Sequence, residues 1–130
     1  MSPEQRILSS VKTIAVVGLS SDPIKPSYEV SEYMQRQGYR IVPVNPKETE
    51  VLGERAYASL EEIPFPIDLV NVFRRPAQTP EVVRSAIAIG AKAVWLQLGI
   101  ANDQARMAAA EAGLPYVEDR CLLIEHRKMR

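Results

Sequence analysis

Apolar and polar positions follow two alternating periods along this chain. Residues 13–18 run Thr-Ile-Ala-Val-Val-Gly, a β-branched apolar stretch closed by glycine, which predicts a strand buried on both faces. Residues 39–44, 67–73 and 92–98 repeat the pattern. Between these runs the spacing becomes helical. Ser2, Pro3 and Glu4 read as the cap, first-turn proline and first-turn acid of a short helix ending near Ser9. Ser27 is placed to cap a second helix, in which Val30, Tyr33, Met34 and Gln37 share a face and Gly38 marks the end. Thr79, Pro80 and Glu81 open a third, with Val82, Val83, Ala86 and Ile87 toward the core and Gly90 closing it. Asn102 and Asp103 cap an alanine-rich fourth that Gly113 stops.

The shorter signals fill the gaps. Ser59 and Glu62 fit a capping box and predict one helical turn. Residues 115–117 resume an extended path, and 121–124 suit either a last strand or a short helix. Pro43 has no N–H to give a ladder, so the second strand belongs at an edge or ends there. Strands separated by helices of about ten residues imply parallel β-α-β units with right-handed crossovers. The predicted architecture is a single α/β domain: a Rossmann-like, doubly wound, parallel five-stranded sheet in three α/β/α layers. Its core spans about residues 11–125 and a short polar tail covers 126–130. Ligands of such sheets lie beyond the carboxyl ends of the strands, where the strand order reverses.

Composition narrows the function classes. The 130 residues suit one domain, and 46% hydrophobic with 25% charged residues argues against disorder. Sixteen basic and sixteen acidic side chains cancel, so a general nucleic-acid binder or polybasic membrane protein is not expected. The first residues lack a secretory pattern, no apolar run is long enough for a bilayer, and Cys121 is the single cysteine. The expectation is a cytoplasmic protein without disulfides. With that one cysteine and one histidine, His126 in the polar tail, neither a zinc site nor a Cys–His pair is expected. No acid–base or nucleophile–base pair stands out, so no catalytic residue is assigned and catalysis is the less favoured reading.

The predicted carboxyl ends carry the chemistry. After the first strand, Gly18-Leu19-Ser20-Ser21-Asp22-Pro23 departs from the dinucleotide pattern G-x-G-x-x-G, with serine and proline in place of the second and third glycines. It still offers hydroxyls, amides, a helix start and the charge of Lys25, which together suit an anion; a solvated loop is the plainer alternative. After the second strand, Asn45-Pro46-Lys47 stands where NAD-binding domains usually carry a carboxylate for the ribose. Lys47 would attract a phosphorylated ribose, as in NADP or coenzyme A, unless Asn45-Pro46 is merely a turn. After the third, Arg74 and Arg75 are suited to phosphate; their side chains diverge, so one of them is expected to reach the ligand. After the fourth, Gln97 and Gly99 allow close backbone approach.

As an ordered set, the run from Ile14 to Ser20, Lys25-Pro26-Ser27, Pro43-Val44-Asn45-Pro46, Val72-Phe73-Arg74-Arg75, Trp95-Leu96-Gln97-Leu98-Gly99 and Asp119-Arg120-Cys121-Leu122 resembles the small stand-alone CoA-binding domain proteins. These are similar to the amino-terminal domain of the succinyl-CoA synthetase α subunit. The resemblance, over about residues 11–125, implies a Rossmann-like domain holding the 3′-phospho-ADP part of coenzyme A or an acyl-CoA. By position it implies Gly18, Leu19, Ser20 and Lys25 around the pyrophosphate. It places Asn45, Pro46 and Lys47 beside the adenosine and its phosphate, with Val72, Phe73 and Arg74 as a further wall. Ser21, Ser27 and Tyr28 adjoin the first loop. The synthetase's glycine- and lysine-rich loop is replaced here by the shorter Asn45-Pro46-Lys47, and its phosphorylated histidine has no counterpart.

The expected function is therefore non-catalytic: a carrier or sensor of coenzyme A, with a possible homo-oligomer or partner enzyme. The alternative is an NADP-binding oxidoreductase component that needs a partner for its substrate site. A third possibility is a regulatory interaction domain with an empty site. Cys121 beside Arg120 can be a reactive thiol, but an inert packing residue is the commoner role. Asp119 with Arg120 reads as an ion pair, Trp95 and Tyr28 as packing residues, and His126 as solvated. The face of Ala105, Ala108, Ala109 and Ala112 suits either an internal helix contact or a second subunit.

Overall fold

The computed structural model describes residues 1–130. Its helices are α1 (Pro3–Ser10), α2 (Pro26–Arg36), α3 (Thr79–Ala88), α4 (Asp103–Glu111) and α5 (Leu122–Arg127). Its strands are β1 (Thr13–Val17), β2 (Arg40–Val44), β3 (Glu50–Val51), β4 (Glu54–Arg55), β5 (Leu69–Val72), β6 (Ala93–Leu96) and β7 (Tyr116–Val117). Five strands form one parallel sheet in the order β2-β1-β5-β6-β7. The chain thus winds outward from β1 to β2, then crosses back and continues through β5. The order reverses between β1 and β5, the predicted doubly wound plan.

Alternate residues of each strand feed the two faces. Ile14, Val16, Leu69 and Trp95 pack under α1, α2 and α5, whereas Ala15, Val17, Val70 and Val94 pack under α3 and α4. The central strands are buried apart from the half-buried Thr13 that opens β1, which explains their largely apolar composition, with Asn71 of β5 the buried polar exception. Pro43 lies in the edge strand β2 and turns its carbonyl outward, where it accepts the Tyr57 N–H at 3.0 Å. At the amino end, Asp68 accepts the Lys12 and Thr13 N–H groups at 2.9 and 3.1 Å and pairs with Lys92 at 3.3 Å. Burial works to raise its pKa, but those amide bonds and Lys92 outweigh it and hold the carboxyl below the usual value.

Several local expectations change. Ser27 does not cap α2: Lys25 is the cap residue, without a side-chain bond, and the buried Ser27 hydroxyl accepts the Ser20 N–H. Ser59 caps no amide and instead donates its hydroxyl to Glu62, beside a single 3-10 turn at Leu60–Glu62. The segment after residue 121 is a helix, because a strand there would leave Leu122 and Leu123 without the apolar layer they cover. His126 is not a solvated tail residue: it is half-buried in α5, 2.8 Å from the Tyr33 hydroxyl and edge-on to Tyr39. Of the alanine face, Ala105 and Ala109 are fully buried and Ala108 partly buried in the layer formed with α3, while Ala112 is exposed. No helix is long and apolar enough to cross a membrane.

Candidate functional site

The crevice forms where β1, β2 and β5 end together. The Gly18 N–H donates to the Val44 carbonyl and the Phe73 N–H to the Val17 carbonyl, each at 2.8 Å. Gly18 has φ +93°, and a Cβ there would stand 2.3 Å from the Phe73 carbonyl oxygen, so the turn admits glycine alone. Two loops rise from this junction. In the first, the Ser20 hydroxyl accepts the Asp22 N–H and the Asp22 carboxylate accepts the Ile24 N–H, both at 3.0 Å. In the second, the Asn45 side chain donates to the Leu19 carbonyl at 3.1 Å and accepts the Lys47 N–H at 3.0 Å. Asn45 is thereby a tie between the loops, and it leaves Pro46 and Lys47 exposed.

On the α3 side, a cleft of about 250 Å³ opens against the ends of β1 and β2. Val17, Val44, Leu60 and Val82 give it an apolar floor, and Arg74, Gln78 and Glu81 give it a polar rim. The adjacent arginines part company: Arg74 lines the cleft half-buried, while Arg75 is exposed at the start of the next turn. Val72 is buried within the sheet, and Phe73 packs in the same apolar layer as Tyr28 and Cys121 on the opposite side. Lys25, Lys47, Arg74 and Arg75 make no ion pair, whereas acids elsewhere hold Arg36, Lys92, Arg106 and Lys128. The loops after β1, β2 and β5 therefore carry four cations without an ion pair, alongside Asp22 and Glu48, and Arg74 among them lines the apolar-floored cleft, an arrangement that can take a phosphorylated ligand.

The fourth loop is built differently. The buried Gln97 side chain accepts the Leu122 N–H at 3.3 Å, and the Gly99 N–H is held by the Asp119 carboxylate at 2.7 Å. Asp119 forms no ion pair with Arg120; Arg120 donates instead to the Asp119 carbonyl, and Trp95 fixes the Arg120 carbonyl at 2.9 Å. These residues fasten α5 to the sheet. Two features escaped the sequence reading. Leu60, Gln78 and Glu81 enter the site from turns and a helix rather than from strand ends. The carboxylate of Glu48 reaches back to the first loop, where it accepts both the N–H and the hydroxyl of Ser21 at 2.9 Å. A half-exposed acid four residues beyond a strand carries no pattern that would announce this. No group of three or more His, Cys, Asp or Glu side chains is gathered to hold a metal ion.

Sheet order and crevice together define a Rossmann-like α/β domain with an open crevice at its carboxyl edge. The chain belongs to the CoA binding domain family, whose model matches residues 12–127. It is 44% identical over 122 residues to the uncharacterized protein YneT of Bacillus subtilis, covering 94% of this chain and 90% of that protein. A solved Thermus thermophilus structure, cell-free ID.343, superposes with a TM-score of 0.94 at 40% identity, covering all of both chains. Over 60 residues the chain is 49% identical to the α subunit of an ADP-forming acetate–CoA ligase of Pyrococcus furiosus. That match covers 45% of this chain and 13% of the ligase subunit.

Proposed function

We propose that this protein binds coenzyme A, free or acylated, through its 3′-phospho-ADP part and acts as a carrier or sensor rather than a catalyst. The observation that carries the reading is that Lys25, Lys47, Arg74 and Arg75, none of them in an ion pair, all stand on the loops that follow β1, β2 and β5 at the switch point of the sheet. In this reading the adenine lies on the floor of Val17, Val44 and Leu60, with Arg74 at its edge. The pyrophosphate lies over Gly18, Leu19, Ser20 and Ser21 with Lys25, and Lys47 meets the ribose phosphate. Ser27 and Asn45 shape the loops, and Tyr28 with Phe73 borders the path of the pantetheine arm. Gln97 and Gly99 contribute by holding α5 in place. The resemblance to a ligase α subunit supports a partner protein that supplies the chemistry. Thermal melting tests the proposal. Coenzyme A at a hundred times its Kd should stabilise the fold by about 2.7 kcal/mol, a rise of several degrees, and NADP should leave it unmoved. A rise with NADP and none with coenzyme A would overturn it.

A further inference from the structure

Every backbone N–H from Ser20 to Lys25 already has a partner, apart from Pro23, which has none to offer. Four of those bonds close within the loop or onto its own helix: Ser20 to Ser27, Asp22 to Ser20, and Ile24 and Lys25 to Asp22. They define the turn and cannot be released without unmaking it. Ser21 is the exception. Its N–H and hydroxyl both point to one carboxylate oxygen of Glu48, which comes from the loop after β2. We propose that Glu48 is a built-in competitor for the anionic ligand, a side-chain carboxylate that occupies the Ser21 donor pair and swings away when a phosphate takes its place. This rests on the reading of the carboxyl edge as a coenzyme A site.

The physical consequence is selection by charge. Ser21 is exposed and Glu48 half-exposed, so breaking their contact returns the carboxylate to water at little cost. The ligand then replaces one anion by another, and a lone carboxylate or hydroxyl gains nothing from the exchange. A ligand that presents several phosphate charges to Lys25 and Lys47 as well gains from the exchange. Glu48 thus raises the charge a ligand must bring, and the same contact ties the two loops together while the site waits.

The experiment titrates coenzyme A calorimetrically into the wild type, Glu48→Gln, Glu48→Ala and Glu50→Gln. Glu50→Gln makes the same change of net charge at an exposed residue outside the crevice. Both Glu48 variants should bind about three- to tenfold tighter, with Glu50→Gln within about twofold of the wild type. The ligand-free Glu48→Ala protein should also melt lower, since a tie is lost. Tighter binding by a less stable protein is a combination that a purely structural Glu48 would not produce. Equal or weaker binding by both Glu48 variants overturns the competitor and leaves the coenzyme A reading intact. Failure of all four proteins to bind overturns both.

Discussion

A Cβ on Gly18 would meet the Phe73 carbonyl at 2.3 Å, and the backbone there sits in a left-handed conformation. Gly18→Ala should therefore cost at least about 2 kcal/mol from backbone strain alone. Melting should fall by about 6–10 °C, and the crevice between β1 and β5 should be forced open. Lys47 faces the opposite test, because its exposed side chain supports nothing in the fold. Lys47→Ala should leave the melting temperature unchanged and weaken coenzyme A binding about ten- to hundredfold, the loss of one charge-assisted contact of roughly 1.5–3 kcal/mol. Unchanged calorimetric affinity would remove Lys47 from the site. A glycine closing a β-branched run is visible in the sequence; the carbonyl that forbids its replacement arrives from a strand some fifty residues away and is not.

Helix α5 shows what docking of a short element requires. Leu122 and Leu123 bury its apolar side, Tyr33 shares a hydrogen bond with His126, and Arg127 lies over the Tyr33 ring. Burial, aided by the charge of Arg130, lowers the His126 pKa and favours the neutral ring. A histidine whose folded pKa is depressed contributes stability that is complete above the ordinary imidazole value and is lost as pH falls through it. Wild-type melting should therefore drop between about pH 7 and 5, and His126→Phe, which keeps an aromatic ring against Tyr33 and Tyr39, should show a shallower dependence. The long elements were legible because β1, β5 and β6 are largely apolar runs and the α2 and α3 patterns have clear helical period. Short elements were not. The β3–β4 hairpin turns on Leu52 and Gly53, both at positive φ, and a leucine is not a residue that advertises that conformation. Ser27 looked like a cap because its type suits one, but its hydroxyl is taken by a loop amide that only the folded crevice brings near.

Across the whole molecule the charges sum to zero, yet their distribution is uneven. Acids outside the crevice neutralise Arg36, Lys92, Arg106 and Lys128 in pairs, whereas Lys25, Lys47, Arg74 and Arg75, on the loops that follow β1, β2 and β5, form no ion pair. Such unpaired cations attract over about a Debye length, some 10 Å at 0.1 M salt, so coenzyme A binding should weaken steadily as salt rises. The strand ends, and hence these cations, could be located from the sequence because the parallel plan puts the loops that follow strands on one edge. The cleft floor and Glu48 could not, since they depend on how the segments between β2 and β5 fold back over that edge. The most direct measurement is calorimetric titration of the wild-type protein with coenzyme A and, in parallel, with dephospho-coenzyme A. Micromolar binding of coenzyme A, weakened at least about tenfold without the 3′-phosphate, is the predicted result. Equal affinity for the two would show that the basic edge does not read the ribose phosphate, and no binding of either would contradict the coenzyme A reading itself.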